Sequence, residues 1–266
     1  MDLTSAVLIY FSPTRTTRTI LEGIAQGMAG GRADHLDLTP PATCTETPAT
    51  VEHGVALIGV PVYSGRIPLT AVERLRRLSG QNTPAVLVVV YGNRAYEDAL
   101  LELRDLAVEV GFRPVAAGAF IGEHSFSSAA TPIAPGRPDA DDLQQARGFG
   151  EQVRQKLQKM PAADGLVPLL VPGNIPYKEP RVPSQISLGR DEALCVLCGT
   201  CVTVCPMAAI TLAETVTTDS SRCIVCCACV KKCPKGARAV TDVRIRQIAE
   251  RLHLTCGTRQ RPETYL

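Results

Sequence analysis

Residues 6–17 read AVLIYFSPTRTT, an uninterrupted apolar run that changes abruptly into small hydroxyl residues. Such a run is typical of a strand that is buried on both faces of a parallel sheet. Helical periodicity follows over about residues 16–29 and ends at Gly30-Gly31. The stretch therefore predicts a strand, a polar loop and a helix in succession.

The same alternation continues to about residue 160. Five strands joined by helices imply a parallel sheet that is covered on both faces. The predicted fold is a flavodoxin-like doubly wound five-stranded sheet with strand order 2-1-3-4-5, since the rival Rossmann domain would need a G-x-G-x-x-G after its first strand. Further strands are expected at 33–38, 55–63, 84–92 and 114–122, with helices over 68–79, 96–111 and 139–159.

Composition and charge argue against several classes of protein. The chain has 266 residues, of which 45% are hydrophobic, and a net charge of +2. That charge gives no reason to expect nucleic acid or an acidic membrane as a partner. No apolar run approaches the ~20 residues of a transmembrane helix, and the N-terminus lacks the features of a signal peptide. We therefore expect a cytoplasmic protein.

Six prolines between residues 161 and 183 mark a boundary between domains. Such a segment is extended and semi-rigid. We expect a flavodoxin-like domain over 1–160, a proline-rich linker over 161–188, a small cysteine-rich α+β domain over 189–240, and a C-terminal helix and tail over 241–266. The tail from Thr255 onward carries no clear structural pattern.

Nine of the eleven cysteines lie between Cys195 and Cys233. They form two C-x2-C-x2-C-x3-C-P runs, CVLCGTCVTVCP at 195–206 and CIVCCACVKKCP at 223–234. Each run places three thiolates at i, i+3 and i+6, so one short loop can hold three corners of a cubane cluster. Structural zinc is the alternative, but zinc motifs usually pair two CxxC units and lack the third cysteine.

Residues 190–240 resemble the bacterial ferredoxins that carry two [4Fe-4S] clusters. In that pattern the fourth cysteine of each run ligates the other cluster. The resemblance thus implies one cluster on Cys195, Cys198, Cys201 and Cys233. It implies a second on Cys223, Cys226, Cys229 and Cys205.

Three cysteines fall outside this pattern. Cys227 would break the i, i+3, i+6 spacing if it replaced Cys226, and it is interpreted as a small buried hydrophobic residue beside a cluster. Cys44 and Cys256 are isolated in the sequence. Packing or simple exposure accounts for them better than chemistry does.

The loop at 12–17 resembles the flavodoxin phosphate loop, (T/S)-x-T-G-x-T. Ser12, Thr14 and Thr17 match it, and Arg15 stands where the pattern has glycine. Hydroxyls and backbone N–H groups before a helix can hold a phosphate, whereas the simpler interpretation is a polar turn with helix-capping residues. The resemblance implies FMN, with its phosphate held by Ser12, Pro13, Thr14, Arg15, Thr16 and Thr17.

Two later loops stand where flavodoxins enclose the isoalloxazine ring. They follow the third and fourth strands, close to the switch point of the sheet. Their tyrosines are available to stack on the ring, although each is equally a candidate for an ordinary surface loop. The resemblance implies ring contacts from Pro61, Val62, Tyr63, Ser64, Gly65, Tyr91, Gly92, Asn93, Arg94 and Tyr96.

The chain as a whole resembles flavodoxin–ferredoxin fusion proteins. That resemblance implies electron transfer between two [4Fe-4S] clusters and FMN, with redox proteins or a small-molecule acceptor as partners and the oligomeric state open. A reductase with a substrate near Arg66, Arg94 and His124 is the alternative, so whether the protein is an enzyme stays open. His124 is either a loop residue or a proton carrier at the flavin. A third hypothesis, that the clusters only sense oxygen or iron, leaves the flavin domain without a role.

Overall fold

The computed structural model describes most of the residues of the chain. They are residues 5–29, 33–41, 49–52, 54–159, 168–180, 185–186 and 188–266. The predicted helix stop at Gly30-Gly31, the isolated Cys44, and Pro161 and Pro183 of the predicted linker lie outside them.

Five parallel strands form the central sheet. Each pairs in parallel with its neighbours. Their spatial order is β2-β1-β3-β4-β5, the order that the sequence predicts. The strands are β1 (Ala6–Tyr10), β2 (Ala33–Asp37), β3 (Val55–Pro61), β4 (Pro84–Tyr91) and β5 (Arg113–Ile121). Ala49–Thr50 and Leu78–Ser79 form a separate two-residue parallel pair.

Four helices cover the two faces of this sheet. They are α1 (Thr16–Ala29), α2 (Leu69–Leu75), α3 (Ala99–Glu109) and α4 (Ala140–Lys159). Helices α1 and α4 share one hydrophobic cluster with one face of the strands, and α2 and α3 share another with the opposite face. Successive strand side chains point to opposite faces, so both faces of a strand such as β4, all of whose residues are buried, are apolar.

The cysteine-rich region forms a small unit of one short hairpin, one two-residue antiparallel strand pair and two single-turn helices. Its strands pair antiparallel, β6 (Gly189–Arg190) with β9 (Arg238–Ala239) and β7 (Ile210–Leu212) with β8 (Val216–Thr218). Its helical turns are α5 (Thr200–Thr203) and α6 (Ala228–Lys231). Helix α7 (Val243–Thr255) follows, with Asp242 accepting a hydrogen bond from Arg244 N at its start.

The C-terminal residues return to the first domain, which the sequence did not predict. Strand β10 (Glu263–Tyr265) pairs antiparallel with β5, so the sheet has six strands and not five. Because β10 lies beside β5, it occupies an edge of the sheet that would otherwise expose unpaired backbone groups.

The described part of the predicted linker, residues 168–180, packs along α3. Leu169 is buried in the cluster that α3 shares with the sheet. The backbone N–H groups of Asn174 and Lys178 donate to Asp98 at the start of α3, at 2.9 and 2.7 Å. The Tyr177 hydroxyl donates to Asp105, two turns further along α3. This segment is therefore held on the surface of the first domain.

The cysteine-rich unit also contacts the first domain directly. Arg74 of α2 donates to the Pro206 carbonyl at 2.6 Å. Lys231 of α6 donates to the Ser127 carbonyl at 2.8 Å and forms an ion pair with Glu123. Pro206 directly follows Cys205, and Lys231 lies two residues from both Cys229 and Cys233. Every helix in the described part of the chain is too short or too polar to cross a membrane.

Candidate functional site

The loop between β1 and α1 is a tight turn that is held by its own backbone and by Thr39. Ser12 N donates to Thr39 Oγ1 at 2.8 Å, and the Ser12 hydroxyl accepts from Arg18 N at 3.1 Å. Arg15 N donates to the Ser12 carbonyl at 3.1 Å, and Arg15 has a φ of 71°. That left-handed conformation is the one glycine adopts without strain. It therefore explains why the related pattern has glycine there.

Thr17 has a buried hydroxyl without a partner. The residue is 1% exposed, and Thr17 Oγ1 has no hydrogen-bond partner among the described residues. Thr17 stands in the first turn of α1, where backbone N–H groups have no acceptor within the helix. An anion placed before this helix would accept from both kinds of donor.

The loop after β3 forms a narrow hairpin that presents Tyr63. Tyr63 and Arg66 exchange two backbone hydrogen bonds, at 2.8 and 3.2 Å. Ser64 and Gly65, between them, both have positive φ, 56° and 85°. A Cβ atom on Gly65 would lie 1.9 Å from Glu97 Oε2, so only glycine allows this loop to pack on the loop after β4.

The loop after β4 is occupied by the C-terminal segment. Asn93 is 3% exposed, and its amide donates to the carbonyls of Cys256 and Thr258 at 2.7 and 2.8 Å. The Tyr96 hydroxyl is hydrogen-bonded to Glu263 and Tyr265 of β10, and the Tyr96 ring packs against the buried Tyr91 ring. These contacts already occupy the side chains of Tyr91, Asn93 and Tyr96.

Two of the predicted substrate-binding residues are held in ion pairs. Arg66 forms a two-pronged pair with Glu102 of α3, with both hydrogen bonds at 2.8 Å and both side chains largely buried. The Arg66 guanidinium also lies over the Tyr177 ring. Arg94 pairs with Glu97 at 2.7 Å and is more exposed. Arg66 thus joins the linker to α3.

His124 lies beside Gly92, where the loops after β4 and β5 meet. A Cβ atom on Gly92 would lie 2.3 Å from the His124 ring. His124 Nδ1 accepts from Phe126 N at 3.0 Å. Burial, followed by the nearby charges of Lys231 and Arg94, lowers the pKa of His124 to about 4. The imidazole is therefore neutral at physiological pH.

Four cysteines line one enclosed cavity in the small unit. They are the three first cysteines of the second run together with the last cysteine of the first run: Cys223, Cys226, Cys229 and Cys205. This is the set that the resemblance assigns to one cluster. Burial raises the pKa of Cys223, Cys226 and Cys229, and the charge of Cys205 contributes in the same direction.

The other predicted set is nearer to solvent. Cys198 is exposed, Cys195 and Cys233 are half-buried, and Cys201 is buried. The charge of Cys198 acts to raise the pKa of Cys233, and the charge of Cys195 acts to raise the pKa of Cys201. Thiols of both runs therefore influence one another in this set as well. In the part of the chain that the structure describes, no three His, Cys, Asp or Glu side chains are grouped to hold a single metal ion.

The two cysteine loops repeat the same backbone conformation. Leu197 and Val225, each just before the second cysteine of its run, have φ of 52° and 54°. Gly199 and Cys227, each just after it, have φ of 75° and 59° and precede α5 and α6. Cys227 therefore takes the place of a turn glycine, and its thiol is fully buried beside the second set, as the sequence predicts for a non-ligand.

Arg238 is a residue that sequence reasoning missed. It is 4% exposed, and its guanidinium lies 3.8 Å from Cys229 Sγ and donates to Thr218 Oγ1 at 2.9 Å. Burial raises the pKa of Cys229 and Cys223, and the positive charge of Arg238 offsets part of that rise. The only signal in the sequence is a basic residue inside the apolar stretch ARAV, which on its own is weak.

The loop after β3 and the second cysteine loop both pack against the same hydrophobic cluster of the sheet. Burial, and then the charges of Cys226, Cys227 and Cys223, hold the pKa of the Tyr63 phenol well above its ordinary range. On the cysteine side, Ile224 lines the four-thiol cavity and also packs against the hydrophobic cluster of the sheet. Val62 of the loop after β3 packs against this hydrophobic cluster too.

Comparison with known proteins agrees with the cysteine pattern. Residues 187–237 match the family model described as a 4Fe-4S dicluster domain. A search of curated proteins gave no significant match.

Solved structures similar to this chain include two flavodoxins. A flavodoxin from the domain Archaea has a TM-score of 0.39 at 15% identity, over 58% of this chain and 99% of its own. A WrbA-like flavodoxin from Agrobacterium tumefaciens has a TM-score of 0.40 at 15% identity, over 59% and 99%. Rubredoxin oxygen:oxidoreductase from Desulfovibrio gigas has a TM-score of 0.41 at 14% identity, over 58% of this chain and 36% of its own.

Proposed function

We propose that this chain is an iron–sulfur flavoprotein that carries electrons between two [4Fe-4S] clusters and FMN. The observation that carries the proposal is the cavity lined by Cys205, Cys223, Cys226 and Cys229, another lining residue of which, Ile224, packs against the hydrophobic cluster of the sheet. A four-thiol cavity suits an iron–sulfur cluster. The position of the cavity suits electron transfer to a group that is bound by the doubly wound sheet.

The residues present also fit a flavin phosphate. The Thr17 hydroxyl is a donor without an acceptor among the described residues, and the first N–H groups of a helix have no acceptor within the helix itself. Ser12, Thr14 and Thr16 add hydroxyls around the same turn. Bound there, FMN would supply two-electron chemistry while the clusters supply one-electron chemistry. The protein's own part is to hold these groups at fixed distances and to exclude water from the buried thiols.

Electron transfer is favoured over a reductase that acts on a small substrate. Two of the three side chains predicted to hold a substrate, Arg66 and Arg94, are already paired with Glu102 and Glu97. The third, His124, accepts a hydrogen bond from its own loop. A substrate would have to displace these partners before it could bind.

Cofactor content tests the proposal directly. Protein purified without oxygen should contain about eight iron atoms and as many sulfides, as two [4Fe-4S] clusters require, together with FMN that is released on denaturation. Stoichiometric zinc without sulfide would contradict the cluster assignment. Failure to bind added FMN would contradict the flavin assignment.

In each predicted cluster, one cysteine ligand comes from the other run, and a second experiment tests this assignment. In Cys205→Ala, the paramagnetic signal of the cluster on Cys223, Cys226 and Cys229 should be altered, and the signal of the other cluster should be kept. Cys256→Ala is the matched control, since Cys256 lies in neither set. Loss confined to the cluster on Cys195, Cys198 and Cys201 would contradict the assignment.

A further inference from the structure

Arg238 is a buried cation without a carboxylate partner in the part of the chain that the structure describes. The residue is 4% exposed, and it belongs to none of the ion pairs formed there. Its Nε atom is buried and has no hydrogen-bond partner among the described residues. A charge inside a protein is normally paired, because removing it from water is costly. A negative charge beside Arg238 would therefore be stabilised.

The guanidinium of Arg238 reaches the wall of the cavity that four thiols line. Its Nη2 atom donates to Thr218 Oγ1 at 2.9 Å and to Cys229 Sγ at 3.8 Å. Thr218 and Cys229 both line the cavity. The Thr218 hydroxyl therefore holds the charged end of the side chain next to a buried thiol of the predicted ligand set.

Strand pairing holds the backbone of Arg238 and offers a natural comparison. Arg238 lies opposite Arg190 in the antiparallel pair of β9 with β6. Arg190 has a carboxylate partner, since it pairs with Glu192 at 2.8 Å. Two arginines in register within the same small unit thus differ in one respect. The charge of Arg190 is balanced by an acidic side chain, and the charge of Arg238 lies beside a thiol.

The two predicted ligand sets are not equally placed relative to this charge. Burial raises the pKa of both Cys229 and Cys201, and the charge of Arg238 offsets part of the rise in each. Cys201 belongs to the other set. Among the described thiols, however, only Cys229 accepts a hydrogen bond from the guanidinium. The charge therefore acts most directly on the set that lines the cavity.

We propose, on the basis of the iron–sulfur clusters in the function proposed above, that Arg238 is the buried counter-charge of the set Cys205, Cys223, Cys226 and Cys229, and that it raises the reduction potential of the cluster held there. Reduction adds one negative charge to such a cluster, and a fixed positive charge in a low-dielectric site favours the more negative form. The potentials of iron–sulfur clusters depend on nearby charge and on hydrogen bonds to sulfur. Arg238 supplies both and is not itself a ligand.

A redox titration of the complete, cofactor-loaded protein tests this role, with the paramagnetic signals of the reduced clusters as the readout. Cys226→Ala and Cys198→Ala identify which signal belongs to which set. In Arg238→Met, the one-electron equilibrium of the cluster on Cys226 should shift about tenfold towards the oxidised form, a fall of about 59 mV in potential. The potential of the other cluster should fall by less.

Two further variants separate charge from structure. Arg238→Lys keeps the positive charge, so its potential should lie closer to that of the wild type than the potential of Arg238→Met does. Arg190→Met is the matched control, because the charge that it removes is already paired with Glu192. Both potentials should stay near the wild-type values in this control. An unchanged potential in Arg238→Met, or equal shifts in any two of these three variants, would overturn the proposal.

Thr218→Val tests the same role without removing the charge. The guanidinium loses the hydroxyl that orients it, so the potential of the cluster on Cys226 should fall by less than in Arg238→Met. This variant keeps the proposal testable even where substitutions of Arg238 prevent folding. In that case, a wild-type potential in Thr218→Val would overturn the proposal.

Iron and sulfide analysis of each preparation separates this proposal from the function on which it rests. Wild-type protein without clusters would refute the proposed function, and the role of Arg238 with it. Fully loaded protein whose potentials respond to neither the Arg238 nor the Thr218 substitutions would refute the role of Arg238 alone.

Discussion

Among the described residues, Thr17 has the environment that most directly indicates a bound ligand, because its buried hydroxyl has no hydrogen-bond partner among them. Leaving a buried hydroxyl unpaired costs ~1–3 kcal/mol, whereas a hydrogen bond to a charged group contributes ~1.5–3 kcal/mol. In Thr17→Val we therefore expect FMN binding to weaken by about that latter amount, with riboflavin binding unchanged. Calorimetric titration of the flavin-free protein with both ligands measures the difference.

Thr19→Val provides the control, because the Thr19 hydroxyl already donates to the Arg15 carbonyl at 3.0 Å. Its affinity for FMN should stay near that of the wild type. Equal losses for FMN and riboflavin in Thr17→Val would mean that Thr17 only supports the start of α1.

His124 predicts a pH dependence of stability. Its pKa is lowered from 6.5 to about 4 in the folded chain, by burial and then by Lys231 and Arg94. Between these values the unfolded chain binds more protons, so stability is full above about pH 6.5 and falls as the pH drops towards 4. One such group gives a slope of at most about 1.4 kcal/mol per pH unit. Denaturant unfolding of wild type and His124→Gln at several pH values measures it.

The slope should be smaller in His124→Gln, because glutamine does not titrate. Burial acts to raise the pKa of Glu123, but hydrogen bonds from Lys231 and Gly136 outweigh it and lower the pKa. Glu123 therefore also contributes less to folding stability at acidic pH. An unchanged slope in the variant would assign the whole effect to such carboxylates.

At the scale of elements, the buried pair of Arg66 and Glu102 joins the hairpin after β3 to α3. Glu102 also accepts from Ile67 N at 2.9 Å. Removing one partner of a buried pair leaves an uncompensated charge and typically costs about 3–5 kcal/mol. Glu102→Ala should therefore lower the free energy of unfolding by about that amount in urea titrations.

Glu109→Ala, two turns further along the same helix, is the matched control. Its pair with Arg76 is exposed on both sides. Exposed pairs contribute about 1 kcal/mol or less, so the control should unfold almost like the wild type. Equal losses in both variants would show that α3 responds to any lost carboxylate.

The five parallel strands could be predicted because each is a local pattern. An apolar run such as the one in β4 identifies a buried strand without any knowledge of its neighbours. The two cysteine runs could be identified in the same way, since the spacing within each run is local, whereas their division into two ligand sets is what the resemblance to ferredoxins implies. Strand β10 could not be identified in this way, because its three residues, Glu263–Tyr265, form no apolar pattern and depend on an edge supplied by β5.

The residues of the loop after β4 show the same limit. Asn93 and Tyr96 were predicted to face a flavin because polar and aromatic residues follow a parallel strand there. Their partners in the structure lie more than 160 residues further along the chain. Nothing local to the loop signals that contact.

At the scale of the whole molecule, the cysteine-rich unit is attached to the first domain on both of its sides. The linker precedes it along α3, and the C-terminal segment follows it into the sheet. Asn93→Ala should loosen the second attachment, because the carbonyls of Cys256 and Thr258 lose the amide that donates to them, at ~0.5–1.5 kcal/mol for each hydrogen bond.

Hydrogen exchange measures that loosening. Amides of residues 256–265 should exchange faster in Asn93→Ala, while those of β1 and β3 should not change. Gln144→Ala, at an exposed position on α4, should leave both sets unchanged. Faster exchange throughout the sheet would instead show that Asn93 supports the domain as a whole.

Strand β10 also has a consequence for how the protein is made. The ribosome produces β1 to β5 first, then the cysteine-rich unit, and only afterwards the residues that complete the sheet. Contacts between such distant parts of a chain form slowly. Strand β10 can therefore pair with β5 only after the cysteine-rich unit that lies between them in the sequence has been synthesised, so the edge of the sheet beside β5 is covered last.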